Sequence, residues 1–429
     1  MGWIVVITLV LALLFSVPIG IAVGMASLAG AVYVSPDLLI SLPQTFLGGL
    51  DSFPLLAVPL FILSGAIMGS GGIARRIVAM SMVFVGRIRG GLGLVAVIAT
   101  MFFSGISGSS SADTAAIGSV TLPEMRRRKY PKEFATALIA AAGGTATLVP
   151  PSIDFVIIGI VANISIGGLF AAGFLPGAVN GLAIMALVYY YGRKFKLPME
   201  VKMTLKEKFK TISEGVLAIL MAVIILGGIL GGVFTPTEAS AVAVIYGFIV
   251  SFFVYKELKL SDIPKLLLHT CELTGIVMLV VGMAFVFSYV LTFQRIPHQI
   301  GELIVQYSGN WIIFVIFVNI LFLFLGMIMD AVPALIVLMP ILVPAGVALG
   351  MNPIHIGILV EANVGISLIS PPVGVCLYVA CGLSKLSIES VIKPLIPFLL
   401  VLVATLIIIS YVPEITLFVP RLLGYVMGG

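Results

Sequence analysis

Ser104-Gly105-Ile106-Ser107-Gly108-Ser109-Ser110-Ser111-Ala112-Asp113 is a small, polar, glycine-rich stretch set between two apolar runs. Gly91–Phe103 before it carries no charge, and Ala112–Leu122 after it is interrupted only by Asp113, Thr114, Ser119 and Thr121. Each run holds roughly ten to fifteen helical residues, about 15–22 Å at 1.5 Å per residue, whereas the hydrocarbon core of a bilayer is about 30 Å thick. Arg87 and Arg89 precede the segment and Arg126 to Lys129 follow it. The pattern predicts a hairpin over 91–124 that enters a membrane, turns at its polar tip and leaves by the same face. Irregular backbone at that depth survives only inside protein or beside a water-filled cavity, so the tip is expected to line a site.

Composition supports a membrane setting. Of 429 residues 61% are hydrophobic and 10% charged, and the mean hydropathy is +1.25. This predicts a polytopic membrane protein and leaves no soluble domain to carry chemistry. The first apolar run lacks a small-residue cleavage site and is read as a retained helix. The net charge of +5 is attributed to basic cytoplasmic loops, not to a nucleic-acid partner. Cys271, Cys376 and Cys381 form neither a zinc pattern nor a disulfide framework.

Outward from the hairpin, Trp3–Val34 reads as one span and Leu50–Met68 as the next, with Ile73–Arg87 an amphipathic stretch at the surface. Phe134–Ser165 is too long for one straight span and is interrupted at Gly143-Gly144-Thr145 and Pro150-Pro151, so it reads as a discontinuous helix over 134–165. Leu175–Gly192 returns, ending in Tyr189-Tyr190-Tyr191 at the interface. After the basic linker Arg193–Ser213, further spans are expected at Gly215–Val233, Ala239–Tyr255 and Cys271–Phe293, and a short amphipathic piece at Pro297–Tyr307. A second hairpin follows over 311–344, then a second broken helix over 354–382, and Pro394–Tyr411 closes the set.

The halves repeat. Gly105 and Gly326, Pro123 and Pro344, Gly144 and Gly365, Pro150 and Pro371, and Pro151 and Pro372 are each separated by 221 residues. The expected organisation is a first repeat over 1–192, a basic linker and single span over 193–236, and a second repeat over 237–429. With the Arg126–Lys132 loop inside, all 23 Lys and Arg residues but Arg295 and Arg421 fall in the cytoplasm. The same count puts the N-terminus inside and the C-terminus outside, and the odd central span inverts the second repeat. The fold class predicted is an all-α polytopic membrane protein of inverted-topology repeats, an arrangement of secondary transporters with a midplane site.

Ser104, Gly105 and Ser107 are expected to face Gly144, Thr147, Leu148 and Pro150, offering carbonyls and hydroxyls to a small hard cation, Na+. Gly326, Met329 and Asp330 with Gly365, Ile369 and Pro371 are the matching second set. Close helix packing is the alternative reading of these small residues. Asp113 and Asp330 are carboxylates at membrane depth, read either as functional groups or as helix caps. Asp154 and Glu361 lie in the broken helices, Glu361 as a proton carrier or a buried partner, and Glu238 reads as a cap. Ser109, Ser152 and Asn363 are candidates for substrate contact. Gly105-Ile106-Ser107-Gly108 also has the form used by intramembrane serine hydrolases, but His269, His298 and His355 are expected near span ends, away from Ser107. A channel would need a continuous pore, which oppositely facing hairpins do not suggest.

The sequence resembles the large membrane subunit of tripartite ATP-independent periplasmic (TRAP) transporters over essentially its whole length. The likeness is carried by Phe103-Ser104-Gly105-Ile106-Ser107-Gly108-Ser109, Leu122-Pro123-Glu124-Met125, Gly143-Gly144-Thr145 to Pro150-Pro151-Ser152, Phe234-Thr235-Pro236-Thr237-Glu238-Ala239 and Ser370-Pro371-Pro372-Val373-Gly374. It implies a non-enzymatic subunit in a bacterial inner membrane that imports an organic acid, such as a dicarboxylate or sialic acid, with Na+. It implies a soluble periplasmic binding protein, a separate small membrane subunit of about four helices, and an elevator mechanism. It also implies ion-site roles for Asp113 and Asp330. Binding-protein-independent Na+/dicarboxylate carriers share the architecture and are the alternative.

Overall fold

Pro18 divides the first apolar run. The structure, a computed structural model, describes residues 3–15, 17–199, 204–294, 299, 310–327 and 331–426. Among these residues α1 (Trp3–Leu14) is followed by α2 (Ile19–Val34), which folds back so that Gly30 meets Val5. The expected single span is therefore a helical hairpin. Proline lacks the N–H that would continue the ladder and its ring clashes with the preceding turn; here the chain reverses at that break.

The chain continues through α3 (Leu38–Leu50), a 3-10 turn at Phe53–Leu56, α4 (Ala57–Ser70) and α5 (Ile73–Val85). Helices α6 (Gly91–Ser107) and α7 (Ser110–Arg127) form the first predicted hairpin, and α8 (Lys132–Ala146) and α9 (Ile153–Val161) the first broken helix. Then come α10 (Ile166–Lys194), α11 (Leu205–Leu230), α12 (Pro236–Ile249) and α13 (Ile263–Phe293). The second hairpin is α14 (Trp311–Gly326) with α15 (Ala331–Ala348), and the second broken helix α16 (Pro353–Ser367) with α17 (Val375–Ser384). Helices α18 (Ile388–Tyr411) and α19 (Pro413–Leu422) end the described chain, which contains no strand. Among the described residues, seven helical segments are long and apolar enough to cross a membrane.

Several boundaries differ from expectation for identifiable reasons. Helix α11 starts inside the basic linker because Thr204 and Glu207 form a reciprocal capping box. Thr235 and Glu238 do the same for α12, as read from sequence. Helix α5 is not a free surface helix: Ile73, Ile77 and Met80 are buried, and it packs on α6 and α11. Gly143, Gly144 and Thr145 remain helical, so the first break begins only at Thr147. Helix α19 was not expected. The amphipathic stretch at Pro297–Tyr307 lies almost wholly outside the described residues.

The 221-residue offset extends from single landmarks to whole elements. Displaced by it, α7 coincides end for end with α15 and α8 with α16, while α6 and α9 fall within two residues of α14 and α17 at each end. Both breaks carry a cis peptide, Pro150-Pro151 and Pro371-Pro372. Contacts between the halves repeat as well: α7 packs on α17 and α9 on α15, α8 on α18 and α10 on α16. The remaining packing is organised by α13, against which α2, α3 and α4 lie.

Equivalent positions differ in chemistry. Phe134 stacks with Phe195 at 5.4 Å between ring centroids, in an edge-on arrangement. The residues 221 positions later are His355 and Thr416, joined by a 2.8 Å hydrogen bond. Phe134, His355 and Thr416 are buried and Phe195 is exposed, so one pair is apolar and reaches the surface while the other is polar and interior.

Candidate ion and substrate site

The first hairpin turns where Gly108 takes a left-handed conformation, φ +65. A side chain is strained there, and glycine is not. Ser109 is extended and starts α7. The reversal brings Ser107 against Asp113: the Ser107 hydroxyl donates to one Asp113 carboxylate oxygen and accepts from the Ser109 N–H at 3.1 Å. Asp113 is fully buried, and its second oxygen lacks a well-formed hydrogen bond, with the Ser104 hydroxyl as a neighbour. Asp113 is thus not the side-chain cap of α7. It sits in that helix's first turn, where the free N–H groups favour negative charge.

The tip rests on the break of the adjoining helix, as expected. Ser104 Oγ donates to the Ala146 carbonyl at 2.7 Å, and the Ile153 N–H donates to the Gly108 carbonyl at 3.1 Å. A β-carbon on Gly105 would sit 3.3 Å from the Pro150 carbonyl oxygen. The hydroxyl of Thr147 donates to the Gly144 carbonyl at 3.1 Å. Leu148 behaves differently: its carbonyl lies against Gly173 and Gly177 of α10. Ser152 is buried and serves as the cap of α9, accepting from the Asp154 N–H at 3.2 Å.

In the second half, Gly326 abuts the Ser367 side chain, with no room for a β-carbon. Met329 and Asp330 lie outside the described residues. Gly365 packs against Gly144, and Ile369 against Gly144 as well. Pro371 occupies the cis break. Asn363 is fully buried; its amide donates to Asn319 Oδ1 at 2.8 Å and to the Leu359 carbonyl. Asn319 in turn donates to Ser410. Asn363 is thereby committed to tying α16 to α14, while its own Oδ1 has no partner.

Two neighbours were not anticipated. Gly65 of α4 lets that helix approach the tip, its β-carbon position 3.1 Å from Ser107 Cβ; one glycine in an apolar run carries no distinguishing signal. Asn319 was legible, being a lone amide in the apolar run Trp311–Gly326. Glu361 is fully buried with both oxygens lacking a well-formed hydrogen bond, and Asp154 is the charged side chain that reaches it.

The donor set has a definite chemistry. Hydroxyls, carbonyls and one carboxylate oxygen without a well-formed hydrogen bond suit a hard cation that takes oxygen ligands. Among the described residues there is no cluster of His, Cys, Asp and Glu suited to a transition metal. His355 does not serve Ser107: both its ring nitrogens are bonded, to Thr416 and to Ser410.

Residues 6–415 match the family described as "Tripartite ATP-independent periplasmic transporter, DctM component". A C4-dicarboxylate TRAP transporter large permease protein from Pseudomonas aeruginosa is 39% identical over 92% of this chain and 94% of its own. A sialic acid TRAP transporter large permease protein from Vibrio cholerae is 36% identical over 97% and 98%. An isethionate TRAP transporter permease protein, DctMQ, from Oleidesulfovibrio alaskensis is 38% identical over 95% of this chain and 64% of its own. Among solved structures, the YdaH transporter of Alcanivorax borkumensis has a similar fold, with a TM-score of 0.58 at 15% identity over 88% of each chain.

Proposed function

The chain belongs to the tripartite ATP-independent periplasmic transporter family as its DctM component, and from that premise we propose that it imports an organic acid together with Na+. It is a multi-pass membrane transporter subunit and not an enzyme. The observation that carries the Na+ reading is Asp113: a fully buried carboxylate with one oxygen on Ser107 and the other, near Ser104, lacking a well-formed hydrogen bond. Na+ arriving there would meet that oxygen, the neighbouring hydroxyls and the carbonyls of the break. The first hairpin and α8–α9 form one ion site, and the second hairpin with α16–α17 forms its counterpart.

The two repeats are inverted relative to each other and move as an elevator. The cross-packing of α7 on α17 and α9 on α15 supports treating hairpins and broken helices as one moving body, with α2, α3, α4 and α13 in the scaffold. The Arg126–Lys132 loop faces the cytoplasm by the positive-inside rule. Val5, Gly30 and Val290 meet, which supports putting the N-terminus on the outer face with the end of α13, not inside as charge counting alone suggests.

The partners are a soluble periplasmic binding protein and a small membrane subunit. The relatives named for C4-dicarboxylates, sialic acid and isethionate support a small organic acid as substrate. The decisive experiment is uptake into proteoliposomes containing the chain, the small subunit and the binding protein. Uptake should follow an imposed Na+ gradient; equal uptake under a proton gradient alone would refute Na+ coupling.

A further inference from the structure

At the end of the first hairpin away from its tip, α7, α8 and α17 line an open-sided cavity of about 530 Å³. Its polar wall holds Arg126, Arg127 and Lys132 together with Thr136 and Ser384, and its apolar wall includes Leu122 and Leu383. Glu124 engages Arg128 at 2.9 Å and Arg127 at 3.5 Å. Arg126 and Lys132 have no ion-pair partner among the described residues. The cavity is thus cationic on one side and apolar on the other, at the boundary where two apolar helices end in a basic loop.

A basic run beside a membrane helix is often no more than a topology signal. These residues do more: they converge from two helix ends on one concave space. A free anion has no use for the leucine wall, and a neutral lipid has no use for two unpaired cations. Basic pockets between membrane helices on the cytoplasmic side suit anionic headgroups.

We propose that this cavity binds an anionic phospholipid, its phosphate held by Arg126 and Lys132 and the start of its acyl chains against Leu122 and Leu383. The cavity joins elements of both repeats, so the lipid holds α17 against the base of the first hairpin. The inference concerns the loop and cavity alone and does not depend on which ion drives transport.

The test uses the full chain with its small subunit, in nanodiscs of dioleoylphosphatidylcholine doped with dioleoylphosphatidylglycerol. The readouts are phosphatidylglycerol retained in native mass spectrometry and the unfolding midpoint. R126Q/K132Q leaves Arg127, Arg128 and Lys129 to direct insertion. It should retain phosphatidylglycerol roughly thirtyfold more weakly, at about tenfold per 1.4 kcal/mol and ~1 kcal/mol per removed charge. R126K/K132R should retain it, and K206Q, on the separate α11, should be unaffected. Inorganic phosphate should not displace the lipid. Equal retention in the wild type and R126Q/K132Q overturns the proposal. So does equal loss in K206Q, which would mean a diffuse surface effect, or displacement by phosphate, which would mean a free-anion site.

Discussion

Gly144 and Gly365, 221 residues apart, pack backbone against backbone: a β-carbon on either would overlap the other's carbonyl oxygen. Equivalent residues of two repeats can touch only near the axis relating them. The contact between α8 and α16 therefore lies near that axis, and it tolerates no side chain at these two positions.

Alanine at either glycine is expected to destabilise the protein by about 1–3 kcal/mol through overpacking. The double variant should cost less than the two singles summed, because the singles disturb one contact. Thermal unfolding midpoints in detergent, measured for G144A, G365A and both together, check this. Strict additivity would mean that the helices are not in contact.

Asp113 yields a prediction on ion dependence. D113N keeps an acceptor for the Ser107 hydroxyl yet removes the charge, so it should insert normally. The Na+ concentration for half-maximal uptake should rise about tenfold or more, equivalent to ~1.4 kcal/mol. S107A leaves the charge in place and should have the smaller effect. An unchanged Na+ profile in D113N would remove Asp113 from the ion site.

Glu361 and Asp154 are neighbouring acids in the interior. Two carboxyls sharing a buried site do not both ionise, so glutamine at 361 keeps the pair at one charge or fewer while removing an exchangeable proton. E361Q is accordingly expected to keep its unfolding midpoint within about 1 kcal/mol of the wild type, while transporting more slowly. A lower midpoint would show that the carboxyl contributes to stability in a way its surroundings do not reveal.

The Asn363–Asn319–Ser410 series ties α16 to α14 and α18. N363L strands the Asn319 carbonyl in the interior and should cost about 1–3 kcal/mol. N319L/N363L removes both amides and should recover part of that loss. Finding the double variant worse than N363L would contradict the pairing.

Sequence patterning exposed the skeleton unevenly. The broken helices were readable because Pro150-Pro151 and Pro371-Pro372 interrupt otherwise apolar helices, and the hairpins because their arms are too short to cross. Pro18 alone does not decide between a kink and a reversal, because a single proline kinks some helices and reverses others. Only the contact of Val5 with Gly30 distinguishes the two. At the site, Asp113 stood out as a carboxylate in an apolar setting. Its engagement with Ser107 depends on the left-handed Gly108, which spacing does not encode. The offset of 221 identified Gly144 and Gly365 as equivalents, but equivalence along a chain says nothing of contact in space. Position along the break suggests the Leu148 carbonyl for the site, yet it lies against α10, where Gly173 and Gly177 make room for it.

Phe134–Phe195 and His355–Thr416 occupy matching places with unlike chemistry. If the halves exchange roles as the transporter turns from one side of the membrane to the other, identical halves would make the two orientations equal in energy. An aromatic contact and a hydrogen bond respond differently to the same displacement. Such mismatched pairs therefore tilt the balance, and the orientation in which the empty carrier waits is written in the differences between its repeats.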